Sequence, residues 1–498
     1  MTQQHDHHGH ERASTLSTGV KWSHLALLGT VLLTYGFELF NFNVSVDEPL
    51  YWNMSRVEML EVWSNQGRWG MGLAALLLPS TNVPLVPLAL GLALSVAAFW
   101  WTARRVFDLT EWESALAVSL AMSLPALVFH FSFMINALGV GIAYAACAGC
   151  AAVLMTRHTP LSTVAATALG AVAIGVYESF AFVLGVTLLA LIWRSPKLST
   201  VLRCAAVAVG ATVTWFLVRY VFILALPREG GNYVTSMVDV NGAVADPVTR
   251  VVDAASRTFG IIVERWLYLG YSNPLPAIFV GIVFIAGVRV AWSRTATARL
   301  WSMLVLIALP IIPFVAAVMT RVIFQRSMVY LPLIVVMVLG VGLPAMRDRY
   351  RSWAGHAMVV LAILAVAGNA SLGNGIFYSG TMVYEEDLAV AANVATTYRS
   401  LPGDFTAPLP AVIAPRSDEY SRPPAWSGRS TFEAGVMGTD GEALRFLQMR
   451  GMNVVDPSSD ELERGHELLQ SMPAYPEPGY MQVSEGLLLI NLETVAER

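Results

Sequence analysis

The 498-residue chain is poor in charge: Asp, Glu, Lys and Arg together make up 13% of it, against roughly 25% in a soluble domain. So few charges cannot clothe a water-facing surface of this size, which excludes a string of soluble domains. The small charge that exists is balanced, with 31 basic and 35 acidic residues and a formal net charge of −4. There is no basic excess to attract nucleic acid. Cysteine is scarce too. Cys147, Cys150 and Cys204 all lie in apolar stretches, which excludes a disulfide-stapled secreted scaffold. The Cys147-x-x-Cys150 pair reads as small-residue packing on an apolar helix. The chain also lacks GxxxxGK[ST], HExxH, GxSxG and a strand-flanked GxGxxG. ATP-driven transport and zinc hydrolysis lose support accordingly. No internal repeat of roughly 20–50 residues is visible.

What is present is apolar. Hydrophobic residues make up 55% and the mean hydropathy is +0.57. The expected class is a mainly α, polytopic membrane protein. Apolar stretches place about eleven spans near 24–42, 83–103, 113–131, 135–155, 161–176, 178–193, 201–226, 274–292, 301–319, 327–344 and 353–371. The pair 161–176 and 178–193 is short and tightly joined. Alternate loops carry Arg104 and Arg105, Arg157, Arg194 with Lys197 and Arg203, Arg294 with Arg299, and Arg347 with Arg349 and Arg351. The positive-inside rule puts these loops and the N terminus on the cytoplasmic side, and the C terminus outside. Residues 1–22, His-rich and polar, read as a disordered cytoplasmic tail. Residues 23–371 form the transmembrane part, with outside segments at 43–82 and 227–272. From 372 to 498 the composition is that of a soluble domain. Ala391, Val394, Tyr398 and Leu401 share a helical face, AVIAP and NVVD read as strands, GEALRFLQMRG and SSDELERGHELLQSM as helices, and YMQV-SEG-LLLINL as a hairpin. The expectation is a small α/β unit.

The densest polar cluster follows the first span. Between 43 and 82 lie Asp47, Glu48, Arg56, Glu58, Glu61 and Arg68, interleaved with Trp52, Trp63 and Trp69, and Glu38 sits at the span boundary. A carboxylate beside the membrane can take a proton from a hydroxyl. Adjacent carboxylates oppose each other's ionisation. Arginine grips phosphate through paired hydrogen bonds, and aromatic rings stack on sugars. The competing reading is an ordinary interfacial loop with an aromatic belt. Tyr177 and Glu178 fall at an outer turn among apolar residues, as a cavity wall or as a solvated turn. Arg321 and Arg326 run against the positive-inside rule. They read as lipid-phosphate ligands or as partners of outer carboxylates such as Asp47. His130 and Asn136 bracket a turn and read as structural hydrogen-bonding groups, and Arg219 lies inside the seventh span as a snorkelling or acid-paired residue.

Asp47-Glu48 just after the first span, followed by Gly67-Arg68-Trp69, resembles the serotype-converting O-antigen glucosyltransferases, bacterial type II glucosyltransferases with a GT-C-like membrane fold. Gly175 to Glu178 falls where that family has a Tyr-Gln. Arg321 to Pro332 resembles its Arg-rich segment before a late span, and Asn374 to Leu401 its post-membrane helix with a central Asp, here Asp387. Two departures stand out. The family often has two Asp where this chain has Asp47-Glu48, which leaves open which carboxylate is the base. Its Tyr-Gln becomes Tyr177-Glu178, which exchanges a neutral hydrogen bond for a charged one or alters sugar preference.

The resemblance implies transfer of a hexose, glucose in the first place, from a polyprenyl-phosphate donor to a hydroxyl of a lipid-linked surface glycan, with inversion. It implies the periplasmic side of a bacterial inner membrane. Asp47 and Glu48 would be catalytic, and Arg56, Trp63, Arg68, Trp69, Tyr177, Glu178, Arg321 and Arg326 would bind substrate. No metal, cofactor or nucleic acid is called for; the partners are the two lipid-linked sugars and membrane lipid. Rival readings are another glycan transferase or polymerase of that fold, a flippase for a lipid-linked sugar, and a structural or sensor protein.

Overall fold

The computed structural model describes residues 21–41, 43–45, 48–52, 54–77, 85–156, 159–226, 246–259, 273–319, 327–349, 352–402, 407–416 and 435–493. Asp47, Arg157, Arg321, Arg326, Arg351 and the His-rich tail lie outside these residues. The described chain is mainly helical with one small sheet.

The membrane part runs through α1 (Trp22–Phe40), three short helices α2 (Glu48–Trp52), α3 (Arg56–Asn65) and α4 (Trp69–Leu76), and then α5 (Leu85–Trp101), which ends in a π turn. Next come α6 (Glu111–Met122), α7 (Pro125–Phe131), α8 (Met134–Thr156), α9 (Pro160–Val176), α10 (Phe180–Arg194) and α11 (Leu198–Ala225). After α12 (Pro247–Phe259) follow α13 (Leu275–Ser293), α14 (Ala296–Met319), α15 (Tyr330–Gly342) and α16 (Trp353–Ser400). Eight of these helices, in places with their flanking turns, are long and apolar enough to cross a membrane, so the chain is a multi-pass membrane protein.

All eleven expected apolar stretches fall on helices, with three differences. The stretch 113–131 is broken: α6 and α7 meet at 62°, either as one bent span, which makes nine among the described residues, or as a re-entrant pair. Pro125 explains the break, since it cannot continue the α6 hydrogen-bond ladder but suits the first turn of a new helix. The stretches 161–176 and 178–193 become α9 and α10, of 17 and 15 residues, about 23–26 Å long at 1.5 Å per residue. That is short of the roughly 30 Å hydrocarbon layer. Thirdly, the boundary expected at 371/372 falls inside one unbroken helix, because α16 continues for 48 residues. At about 72 Å it crosses and then projects well beyond the bundle.

The projecting end of α16 carries the expected α/β unit. Strands β1 (Leu409–Ala414), β2 (Val454–Val455), β3 (Met481–Ser484) and β4 (Leu487–Asn491) form a sheet in the order β2-β1-β4-β3, with helices α17 (Asp440–Met449) and α18 (Ser459–Leu469). β1 runs parallel to β2 and β4, with Ala411 opposite Leu488, and β3 and β4 form an antiparallel hairpin with Ser484 opposite Leu487. The hairpin turn places Glu485 and Gly486 at φ 51° and 80°, the left-handed pair a two-residue turn needs. Alternation divides the sheet's two faces. Ala411, Ile413, Leu488 and Ile490 pack on α17 and on Val390, Ala391, Val394 and Tyr398 of α16. Val412, Ala414, Leu487 and Leu489 face Leu469 of α18 and Met472. Val44 and Trp52 join the first of these cores, so the unit is seated on the polar loop that follows α1.

The loops expected inside meet at one end of the bundle. Arg347 pairs with Glu113 through Nη2 at 2.7 Å, Arg194 with Asp108 at 2.9 Å, and Lys21 with Glu111. Arg294 donates to the Trp193 carbonyl at 2.8 Å and to Ser302 at 2.6 Å. The helix ends carrying Glu38, Glu48, Arg68 and Tyr177 lie at the opposite end.

Candidate active site

The site is built on two local devices. Ser55 starts α3 with a capping box: Glu58 N–H donates to Ser55 Oγ at 3.2 Å and Ser55 N–H to Glu58 Oε2 at 2.7 Å. That occupies Glu58 structurally. Gly67 ends the helix in a Schellman motif. Its N–H donates to the Ser64 carbonyl at 2.9 Å, and the Arg68 N–H to the Trp63 carbonyl at 2.7 Å. Gly67 sits at φ +85°, where a Cβ would be strained. The sharp reversal throws Arg68 back over α3. Trp69, opening α4, then packs flat against Gly175, where a Cβ would overlap its indole.

Arg68 is the hub. Its Nε and Nη2 donate to Glu178 Oε2 and Oε1 at 3.0 and 2.9 Å, and Nη1 to Gln66 Oε1 at 3.4 Å. Its Cζ lies 4.3 Å from the centre of the Tyr177 ring and 5.8 Å from that of Trp63, a cation-π arrangement. Arg219 of α11 lies within electrostatic reach of Glu178 and against Gly67.

Glu48 forms the other pole. It is fully buried. Its Oε2 accepts from Ser45 N–H at 2.9 Å and its Oε1 from Ile135 N–H at 3.4 Å, with the Met134 amide adding to the same group. The Met134 and Ile135 amides are first-turn amides of α8, which have no partners within the helix and favour a negative charge. Burial outweighs them and pushes the carboxyl up to about 7.

The two poles are joined in a closed ring of contacts. Tyr51, one turn on from Glu48, stacks on Trp63 at 4.6 Å. Trp63 contacts Arg68, Arg68 covers Tyr177, and Tyr177 meets His130 edge-on at 5.2 Å. His130 ends α7, and the following turn leads to Ile135 and back to Glu48. Among the described residues, several polar atoms near this ring are buried without a hydrogen-bond partner: Glu38 Oε1, Trp63 Nε1, Ser64 Oγ, Trp69 Nε1 and Asn136 Oδ1. Such atoms are destabilising unless something supplies the missing bond.

The structure thus brings together Glu48, Trp63, Arg68, Trp69, Tyr177 and Glu178. Arg56 is different: it is exposed on the first turn of α3, away from the ring. Asp387 is buried, and its Oδ2 accepts from Met437 N–H at 3.4 Å, which ties α16 to the α/β unit. Tyr51 was legible only as the residue three places after Glu48, on the same helical face. Glu38 was visible at the span boundary, but nothing in the sequence placed it beside Glu48.

A family model described as glucosyl transferase GtrII matches residues 36–343, which takes in every expected site residue and stops before α16. No curated protein matches the chain. Among solved structures, it is similar to the crystal structure of the Archaeoglobus fulgidus oligosaccharyltransferase in complex with zinc and sulfate. That similarity has a TM-score of 0.40 and 13% identity and covers 78% of this chain; the chain spans 60% of the other's length.

Proposed function

The chain belongs to the glucosyl transferase GtrII family, and we propose that it transfers a hexose, glucose in the first place, from a polyprenyl-phosphate donor to a hydroxyl of a lipid-linked surface glycan. The reaction takes place at the periplasmic face of a bacterial inner membrane, where the donor reaches the ring from the bilayer and the α/β unit lies over the acceptor side. A hydroxyl oxygen of the acceptor attacks the anomeric carbon, and its proton passes to a carboxylate. The bond between that carbon and the phosphate oxygen breaks, and polyprenyl phosphate leaves with the electron pair. A single displacement inverts the anomeric centre.

The observation that carries this reading is the pairing of a buried carboxylate with a buried guanidinium on one ring of aromatic side chains. Glu48 is suited to be the base, because a carboxyl near 7 is partly ionised at neutral pH and still basic enough to take a proton. Asp47, its neighbour, is the alternative base. Glu178 fixes the plane of the Arg68 guanidinium, and Arg68 with Arg219 offsets the charge growing on the leaving phosphate. Trp63, Trp69 and Tyr51 are assigned to the wall of the sugar site, with the two indole N–H groups as donors to the substrate. Arg321 and Arg326 are assigned to the donor phosphate as well, and Arg56 to the acceptor rim.

Mass spectrometry of surface polysaccharide tests the proposal in cells lacking the gene, with wild type, Glu48→Gln or Asp47→Asn restored at matched expression. One added hexose per repeat with wild type, lost in Glu48→Gln, is expected. No mass change with wild type, in cells that make donor and acceptor, overturns the transferase in favour of a lipid-sugar flippase. A change in glycan chain length instead points to a polymerase.

A further inference from the structure

The unpartnered buried atoms around the ring divide by chemistry. On the Arg68 side they include N–H donors, Trp63 Nε1 and Trp69 Nε1, which require an acceptor such as a phosphate oxygen. On the Glu48 side they include two oxygens that only accept, Glu38 Oε1 and Asn136 Oδ1, and these require donors. Glu38 is the more demanding of the two. It sits in the last turn of α1, 4% exposed, with no ion pair among the described residues. Asn43 Nδ2 donates to its Oε2 at 3.2 Å, which fixes the carboxylate and leaves Oε1 unmet. Glu38 and Glu48 are close enough for each to feel the other's charge. A glycan presents neighbouring hydroxyls as donors.

We infer that Glu38 is an acceptor-binding residue, its Oε1 receiving one hydroxyl of the acceptor glycan while the neighbouring hydroxyl is presented to Glu48. The inference rests on the transferase reading. Glu38 thereby distinguishes sugars with a donor hydroxyl beside the attacking one from those without it, and it plays no part in binding the donor lipid. Water, as a substitute acceptor, does not require it.

The test uses the full chain in lipid nanodiscs, with polyprenyl-phosphate-glucose as donor and lipid-linked glycan extracted from cells lacking the gene as acceptor. Transfer to the glycan and release of free glucose without glycan are both measured. Glu38→Gln is informative because its amide oxygen stays with Asn43 and its N–H then replaces the acceptor that faced the hydroxyl. The expected result is an acceptor KM raised about tenfold, the scale of one hydrogen bond of ordinary net strength, with kcat and glucose release little changed. An unmoved acceptor KM, or an equal loss of glucose release, overturns the role of Glu38. If the Gln variant does not fold, Glu38→Asp decides on the same two readouts, with a smaller rise in KM expected. No transfer by wild type sinks the transferase reading, and this inference with it; transfer by wild type with an unmoved KM sinks only the assignment of Glu38.

Discussion

The two ends of the helical bundle handle their polar groups in opposite ways. At the cation-bearing end, long side chains are matched. Arg347 meets Glu113 with Nε and Nη2 at 2.9 and 2.7 Å, and Arg194 Nη1 meets two carbonyls and Asp108. Ser114 Oγ and Arg299 Nε are the exceptions there. At the other end a fully buried carboxylate accepts from backbone amides, and among the described residues Glu38 Oε1, Asn136 Oδ1 and, on the Arg68 side, two indole N–H groups have no hydrogen-bond partner. The first end is largely matched as folded, and the second holds the polar groups to which the proposed function assigns a ligand. Unmet polar groups in the native state are the expected mark of a site that binds.

The comparison is broken most severely at Glu48. Glu48→Gln is expected to lower transfer by about 10²–10⁴, the usual contribution of a general base, in a radiolabelled transfer assay. A fall of less than about tenfold assigns the proton to Asp47 instead. The pH profile sharpens the same point. Since a base works only when ionised, kcat/KM should fall about tenfold per unit below the carboxyl value of about 7. Stability runs the other way. The folded carboxyl is raised from 4.5, so the folded state binds the proton more tightly than the unfolded chain does. Its contribution is complete below the ordinary carboxylate range and is lost as pH rises through about 7. Glu48→Gln should therefore melt above wild type at alkaline pH and match it near pH 4, by calorimetry or light scattering.

Arg68→Ala comes next, with an expected loss of about 10²–10³ in kcat, and Arg68→Lys should recover little because Lys lacks the paired donors that meet Glu178. Gly67→Ala should cost about 1 kcal/mol at φ +85° and press on Trp215, 3.3 Å from the added carbon. A severalfold drop in turnover is expected, as Arg68 shifts. Arg347→Ala, at the matched end, should have the smallest effect on turnover, within twofold, while lowering the melting temperature because buried Glu113 loses its partner. An equal loss of turnover there would erase the distinction between the ends.

Much of the architecture was legible because bilayer burial imposes a simple rule on sequence. Apolar length gave the helices, alternate cationic loops gave the matched end, and period-two alternation gave β1 and β4 in the α/β unit. The misses have local causes. Pro125 broke a span that composition read as continuous, and α16 ran on past 371, through Gly373, Gly375 and Gly380, because no Pro interrupts it before Pro402.

The sequence by itself determined that this chain lives in a membrane, where its cations gather, and that Asp47-Glu48, Gly67-Arg68-Trp69 and Tyr177-Glu178 are unusual there. These are one-dimensional facts, set by hydropathy and short-range backbone chemistry. Only the tertiary structure decided that Arg68 pairs with Glu178, 110 residues away, that Glu48 caps α8, and that Glu38 stands beside it with an unmet oxygen. Which polar groups meet depends on how helices cross, and packing between helices is fixed by side-chain shape over the whole bundle rather than by any run of residues.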